Sequence, residues 1–134
     1  VMFGHGLLEM SATSRMGGGL WLGEIIATFA LVFTVLMTVA KAPGATPWAV
    51  GAVLAAGHFF TASGAFANPA VTIARLFTNS FTGIDAASVF PFVVAELVGA
   101  VVAVALAAFL LSGASAPVAA AAAPATRTKK KAAA

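Results

Sequence analysis

From Leu20 to Ala40 the chain carries one charged side chain, Glu24, in 21 positions. A helix of about 20 residues spans the roughly 30 Å hydrocarbon core of a bilayer, so this stretch is long enough to cross a membrane. The whole chain of 134 residues is 61% hydrophobic and 8% charged, whereas about a quarter of the residues in soluble domains are charged. So few charges cannot cover a water-facing surface, and the sequence therefore predicts an all-α membrane protein.

Two more apolar runs, at residues 48–66 and 89–111, predict a second and a third membrane span. We divide the chain into a loop (1–19), a membrane unit (20–113, with the first span at 20–40) and a disordered basic tail (114–134). The chain begins with valine and has no signal peptide pattern. We interpret it as starting within a longer protein, or as an open reading frame that lacks its beginning.

A shorter helix is predicted between the second and third spans, at residues 68–77. Asn68 is a favoured N-cap residue, and Pro69 suits the first helical position. Ten residues extend about 15 Å, half of the hydrocarbon core. Such a segment enters the membrane and stops, so it must be buried in protein or line a water-filled cavity. The prediction is three spans and one re-entrant half-helix.

The positions of the cations favour a cytoplasmic tail. Three spans place the two termini on opposite sides of the membrane. A cytoplasmic tail puts five cations inside, which are Lys41, Arg127, Lys129, Lys130 and Lys131. Two cations then lie outside, Arg15 and Arg75. Because cytoplasmic loops carry an excess of Lys and Arg, this orientation is preferred, and the half-helix enters from the outside.

Three motifs resemble those of the aquaporins, the major intrinsic protein family. Residues 63–72 (SGAFANPAVT) resemble the Asn-Pro-Ala signature, residues 23–29 (GEIIATF) the opening of a repeat, and residues 96–100 (ELVGA) the start of its third helix. The resemblance implies one of the two inverted repeats of the family fold, and it favours the second, C-terminal repeat of a bacterial member. Residues 1–15 are similar to the connector before the second repeat. NPAVT is more usual in the first repeat, although a bacterial subgroup carries NPAVTIAR in the second.

The resemblance also implies roles for particular residues. Asn68, Pro69 and Ala70 would form the pore signature, where the Asn68 amide donates to a solute and the positive helix end repels cations. Glu24 would accept hydrogen bonds from backbone amides of the re-entrant loop, with Thr28 on the same helix face. The carbonyls of four residues before the half-helix would line the pore: Gly64, Ala65, Phe66 and Ala67.

The selectivity filter departs from the usual family pattern. Val71 stands where most members have arginine, which predicts a wider, less polar constriction unless another residue fills the gap. Arg75 lies one turn nearer the outer surface. It either supplies a cation at the outer vestibule or caps the end of its own helix. His58 is a candidate filter donor or a histidine packed between helices, and Ala56 is the competing filter position.

These features predict a passive channel for water, glycerol, urea or neutral metalloid acids, present here as half a channel in the bacterial plasma membrane. A missing first repeat or a second copy would complete the pore, and the family is typically homotetrameric. No enzyme activity, cofactor, metal or nucleic acid partner is expected, and Glu96 is either protonated or interfacial. The alternatives are a truncated, non-conducting membrane protein and a fragment of a broken-helix secondary transporter.

Overall fold

The computed structural model describes residue 6 and residues 8–113. This part of the chain is helical, with no β-strand among the described residues. A 3-10 turn, Pro43–Ala45, joins the first two helices. The four α-helices are α1 (Gly18–Lys41), α2 (Thr46–Phe60), α3 (Pro69–Arg75) and α4 (Ala86–Gly113). The predicted tail at 114–134 lies outside the described residues.

Two helices, α1 and α4, are long and apolar enough to cross a membrane. They have 24 and 28 residues, which extend about 36 and 42 Å. The second predicted span is shorter than expected, because α2 has 15 residues and extends only about 22 Å. It ends at Phe60 rather than near residue 66, since Thr61 is extended and Gly64 has a φ of 87°.

Small side chains let α1 and α4 pack closely together. A Cβ atom on Gly99 of α4 would overlap the carbonyl oxygen of Ile25 on α1. Further along α4, Ala103 and Ala107 are also buried. Without large side chains between them, the two backbones gain van der Waals contact, which is how helices associate in membranes. Large apolar side chains such as Val101 and Phe109 of α4 are left exposed on the outer surface.

The segment before α1 runs across the C-terminal end of the half-helix α3. The backbone amides of Glu9 and Ser11 donate to the carbonyls of Phe77 and Leu76, at 3.2 and 2.9 Å. The last carbonyls of a helix have no partner within the helix and need one elsewhere. We call residues 9–15 the N-terminal strap, because it supplies those partners. Leu76 is the C-cap residue of α3 and Phe77 follows it, so the strap supplies donors to the two carbonyls directly after the last helical residue, Arg75.

Candidate functional site

The half-helix α3 is preceded by Asn68 in an extended conformation, with φ −161° and ψ 119°. Asn68 caps the helix, since its Oδ1 accepts a hydrogen bond from the Ala70 amide at 2.9 Å. Pro69 occupies the first turn, where a missing backbone donor costs nothing. The Asn68 side chain is exposed, and no other described residue accepts a hydrogen bond from its Nδ2. Both hydrogens of the Asn68 amide are therefore without an acceptor among the described residues.

Glu24 of α1 holds the loop that leads to Asn68. Its Oε1 accepts from the Phe66 amide at 3.0 Å and its Oε2 from the Ala67 amide at 2.8 Å. Ala65 and Ala67 lie in the left-handed region, with φ of 47° and 49°, at a cost of about 1–3 kcal/mol each. Two hydrogen bonds to a carboxylate contribute a similar amount, about 1.5–3 kcal/mol each. The fully buried Glu24 thus offsets the strain of this loop.

With these amides turned toward Glu24, the carbonyls of the loop are left without protein partners. No hydrogen bond among the described residues uses the carbonyl oxygens of Gly64, Ala65 or Phe66. The loop is also tightly packed, because a Cβ on Gly57 of α2 would lie 2.9 Å from the Cβ of Ala65. The local arrangement therefore leaves three acceptors on a rigid stretch of backbone.

A second buried carboxyl, Glu96 of α4, is joined to the half-helix. The Thr72 hydroxyl donates to its Oε1 at 2.5 Å, and Glu96 is 1% exposed. Glu96 is thus a buried anchor for α3 and not an interfacial side chain. Thr28 is buried beside Glu24, but its hydroxyl has no hydrogen-bond partner among the described residues. Its contribution is therefore to packing.

A cavity of ≈ 220 Å³ lies beside Phe66. It is bounded by the strap, the end of α2 and the loops on either side of α3. The lining contains two arginines and no carboxylate among the described residues. Its polar side chains are Arg15, His58, Thr61, Arg75 and Thr82. Because two of these side chains are arginines, the cavity next to the half-helix is positively charged.

Arg15 of the strap holds the two loops around the cavity in place. Its Nη1 donates to the Ser63 carbonyl at 3.0 Å, in the loop before α3. Its Nε and Nη2 donate to the carbonyls of Gly83 and Phe81 at 2.7 and 2.9 Å, in the loop after α3. All three nitrogens of Arg15 therefore bond to backbone, and one guanidinium ties both loops together.

Arg75 lies near Arg15, over the same aromatic ring. The two guanidinium carbons are 4.2 and 5.0 Å from the centroid of Phe66, within range of cation–π attraction. Burial lowers the pKa of Arg15 from its usual value, repulsion from Arg75 lowers it further, and the charge of Glu24 opposes both. The Arg75 guanidinium takes part in no hydrogen bond among the described residues. Arg75 thus faces the cavity with free donors and does not cap the carbonyls of its own helix.

The cavity contains only some of the predicted filter residues. His58 lines it, with Nδ1 2.7 Å from the carbonyl of Leu54. A carbonyl only accepts, so Nδ1 is the donor of this bond, and Nε2 has no partner among the described residues. The role of His58 in a filter stays a prediction. Val71 instead packs against the buried cluster that contains Phe66. Ala56 is exposed and does not line the cavity.

A family model described as Major intrinsic protein matches residues 22–134. The chain belongs to the major intrinsic protein family. It is 48% identical over 111 residues to Aquaglyceroporin AqpS of Rhizobium meliloti (strain 1021), an alignment that covers 83% of this chain and 48% of the relative. The chain therefore spans about half the length of this curated relative. No solved structure matched the chain significantly.

As a member of the major intrinsic protein family, the chain is an integral membrane protein, and its family indicates a channel and not an enzyme. The family motifs pointed to Glu24, Asn68 and Arg75, but they did not point to Arg15. Its partners lie 48 to 73 residues away in the sequence. No local pattern could identify them, and only the folded strap brings Arg15 to the cavity.

Proposed function

We propose that this chain forms one repeat of a passive channel for water or small uncharged solutes. Three membrane helices, α1, α2 and α4, together with α3 as a re-entrant half-helix, make up the repeat at 20–113. The carrying observation is the loop held by Glu24, which leads to the free amide donors of Asn68. Free donors beside unpaired carbonyls suit a solute that must exchange its water contacts for protein contacts.

The solutes we propose are glycerol, urea and neutral metalloid acids, besides water. The relative in Rhizobium meliloti is named an aquaglyceroporin, and we extend water and glycerol to this chain. Val71 in place of arginine supports a wider passage. Arg75 and the Nε2 atom of His58 supply a donor and an acceptor at the outer cavity, which together suit a hydroxyl group of a neutral solute.

Cation exclusion follows from the same cavity. Arg15 and Arg75 both line it, so a metal cation or hydronium ion would meet two positive charges before it reached Asn68. Repulsion is strong where little water screens the charges. We infer that the outer cavity rejects cations and passes neutral solutes.

We further propose that a first repeat, or a second copy in the opposite orientation, completes the pore. The chain covers 48% of the aquaglyceroporin that it resembles, which leaves room for a second unit of similar size. The assembled channel would lie in the bacterial plasma membrane as a homotetramer, with the C-terminus in the cytoplasm. The five cations counted on that side support this orientation.

Stopped-flow light scattering of proteoliposomes tests the proposal. We expect no flux above empty liposomes for this chain alone. A channel that joins the first repeat of a family member to residues 1–134 should pass water, glycerol and arsenous acid. Strict water selectivity of the joined channel would contradict the solute proposal, and absence of any flux would contradict the channel itself. Robust flux through the chain alone would mean that two copies pair.

The alternative of a broken-helix transporter has less support. A transporter site needs polar groups that are free to bind an ion or substrate near the half-helix. Both oxygens of Glu24 already accept backbone amides, and Oε1 of Glu96 accepts the Thr72 hydroxyl. Glu24 thus supports the loop, and Glu96 supports α3 through Thr72. Oε2 of Glu96 is buried without a partner among the described residues, but one such oxygen is less than an ion or substrate site needs, so we prefer the channel. A truncated, non-conducting protein is the outcome in which the joined channel also fails.

A further inference from the structure

We propose that the cavity beside Phe66 is a binding site for a short-chain monovalent carboxylate, held by Arg75. The proposal concerns binding at the outer cavity, and it stands whether or not the chain conducts. The two arginines that line the cavity differ in their hydrogen bonding. Arg15 uses all three of its nitrogens on backbone carbonyls. Arg75 has no acceptor among the described residues, although it is partly buried.

The charge of the site selects a monovalent anion. Arg15 and Arg75 bring two positive charges to one ring, that of Phe66. The carboxylate whose charge acts on both arginines is Glu24, which lies fully buried under the loop and outside the cavity lining. Among these three described groups, two cations and one anion leave one positive charge without a counter-ion. A single carboxylate group in the cavity neutralises it.

The shape of the site favours a carboxylate with a short organic chain. A planar carboxylate can accept two parallel hydrogen bonds from one guanidinium. Beside Arg75, the ring of Phe81 and the methyl group of Ala62 offer apolar contacts for a carbon chain. The volume of ≈ 220 Å³ equals about seven water molecules at roughly 30 Å³ each. A carboxylate with a few carbon atoms and some water fits that space.

A bound carboxylate would occupy the proposed route of neutral solutes. His58 and Arg75 line the same cavity, so an anion at Arg75 removes the donor that a neutral hydroxyl would use. We therefore expect carboxylates to compete with neutral solutes at this position.

Saturation-transfer difference NMR on the methyl protons of acetate measures the binding directly. The full chain is placed in nanodiscs of zwitterionic lipid, and the ionic strength is kept constant with a bulky sulfonate buffer. We expect saturable acetate binding, and at least about tenfold weaker binding of acetamide, which has the same shape without the charge. Equal affinities for acetate and acetamide would overturn the proposal.

Acetate binding by single variants tests whether Arg75 holds the anion. Arg75→Gln should weaken acetate binding about tenfold or more, because the charged hydrogen bonds are lost. Lys41→Gln is the matched control: it removes the same charge at the exposed end of α1, and binding should stay within about twofold. Equal loss in both variants would mean that net charge, not the cavity, attracts acetate.

Far-UV circular dichroism checks that Arg75→Gln remains folded. If it does not, Arg75→Lys keeps the charge but cannot form two parallel hydrogen bonds. The affinity of Arg75→Lys for acetate should be lower than that of the wild type for acetate and higher than that of the wild type for acetamide. An unchanged affinity in folded Arg75→Gln, or in Arg75→Lys where the glutamine variant does not fold, would overturn the assignment of the site to Arg75.

Discussion

One buried carboxylate, Glu24, determines the path of a loop 42 and 43 residues further along the chain. The family resemblance indicated that Glu24 accepts backbone amides, and the structure places it on the amides of Phe66 and Ala67. The strained conformations of Ala65 and Ala67 persist only while those bonds form. Stability of the loop should therefore be sensitive to the chemistry of this one side chain.

Glu24→Gln should destabilise the protein by about 1–3 kcal/mol. The glutamine amide offers one acceptor oxygen where the carboxylate offers two, so the amide of Phe66 or Ala67 is left buried and unpaired. Unfolding by SDS, followed by far-UV circular dichroism, measures the change. A variant as stable as the wild type would show that the loop does not depend on these two bonds.

Thr28→Val is the matched control on the same face of α1. Thr28 is buried, and its hydroxyl has no partner within the described part of the chain. Replacing it with a methyl group of similar size should change the free energy of unfolding by less than about 0.5 kcal/mol, or stabilise the fold slightly. A large loss in the same SDS titration would reveal a hydroxyl contact that Glu24 or the loop requires.

Residues with local signatures were predictable from the sequence, and residues that act across the fold were not. Asn68 and Pro69 begin the half-helix, and the Asn-Pro-Ala motif at residues 68–70 identifies this helix start in the sequence. Val71 was predicted to line the filter. Its partly buried side chain packs against the cluster that contains Phe66, and its place in a filter stays a prediction. Arg15 was counted only as an outer cation, because its role depends on three carbonyls that the strap meets after folding.

The half-helix α3 depends on its neighbours for its existence. A helix of seven residues is far shorter than the 12–15 residues at which isolated helices become even marginally stable. Three sets of contacts stabilise this short helix: the Asn68 cap, the hydrogen bond between Thr72 and Glu96, and the strap at the C-terminal end. The predicted element, 68–77, was longer because hydropathy continues past Arg75 while the chain turns to meet the strap.

Packing between α1 and α4 should become less stable when a methyl group is added at Gly99. Gly99→Ala places a Cβ against the carbonyl of Ile25, and the backbones must separate, at a cost of about 1–3 kcal/mol. Gly51→Ala in α2 is the control, because nothing lies within 4 Å of the added atom. Helix propensity should make that variant equally or more stable, by up to about 1 kcal/mol. Equal losses in the SDS titration would contradict the close contact.

At the scale of the whole molecule, the sequence predicted an all-helical membrane unit but not the unequal lengths of its helices. Hydropathy marks residues 48–66 as one run, whereas the helix α2 covers only Thr46–Phe60. The rest of that run, residues 61–66, includes apolar residues that are buried in the protein and not in a spanning helix: Ala65 and Phe66 are 4% and 3% exposed. Composition alone cannot separate these two reasons for an apolar stretch.

The orientation in the membrane is testable at the two ends of α1. The chain has no cysteine, so single-cysteine variants give a clean signal. Met16 and Ala42 flank α1 and are both exposed. We expect a membrane-impermeant maleimide to label Met16→Cys in intact cells, since that end lies outside. Ala42→Cys should react only after lysis. The reverse pattern would place the tail outside the cell.

The bond between Glu24 and the loop also sets an order of events during synthesis. Glu24 is made first, and its partners follow 42 and 43 residues later. At about 5–20 residues per second, the ribosome needs about 2–9 seconds to reach them. During that interval the nascent α1 carries a carboxyl group with neither amide available. We therefore expect α1 to reach its final place in the fold only after the loop with Phe66 and Ala67 has been made.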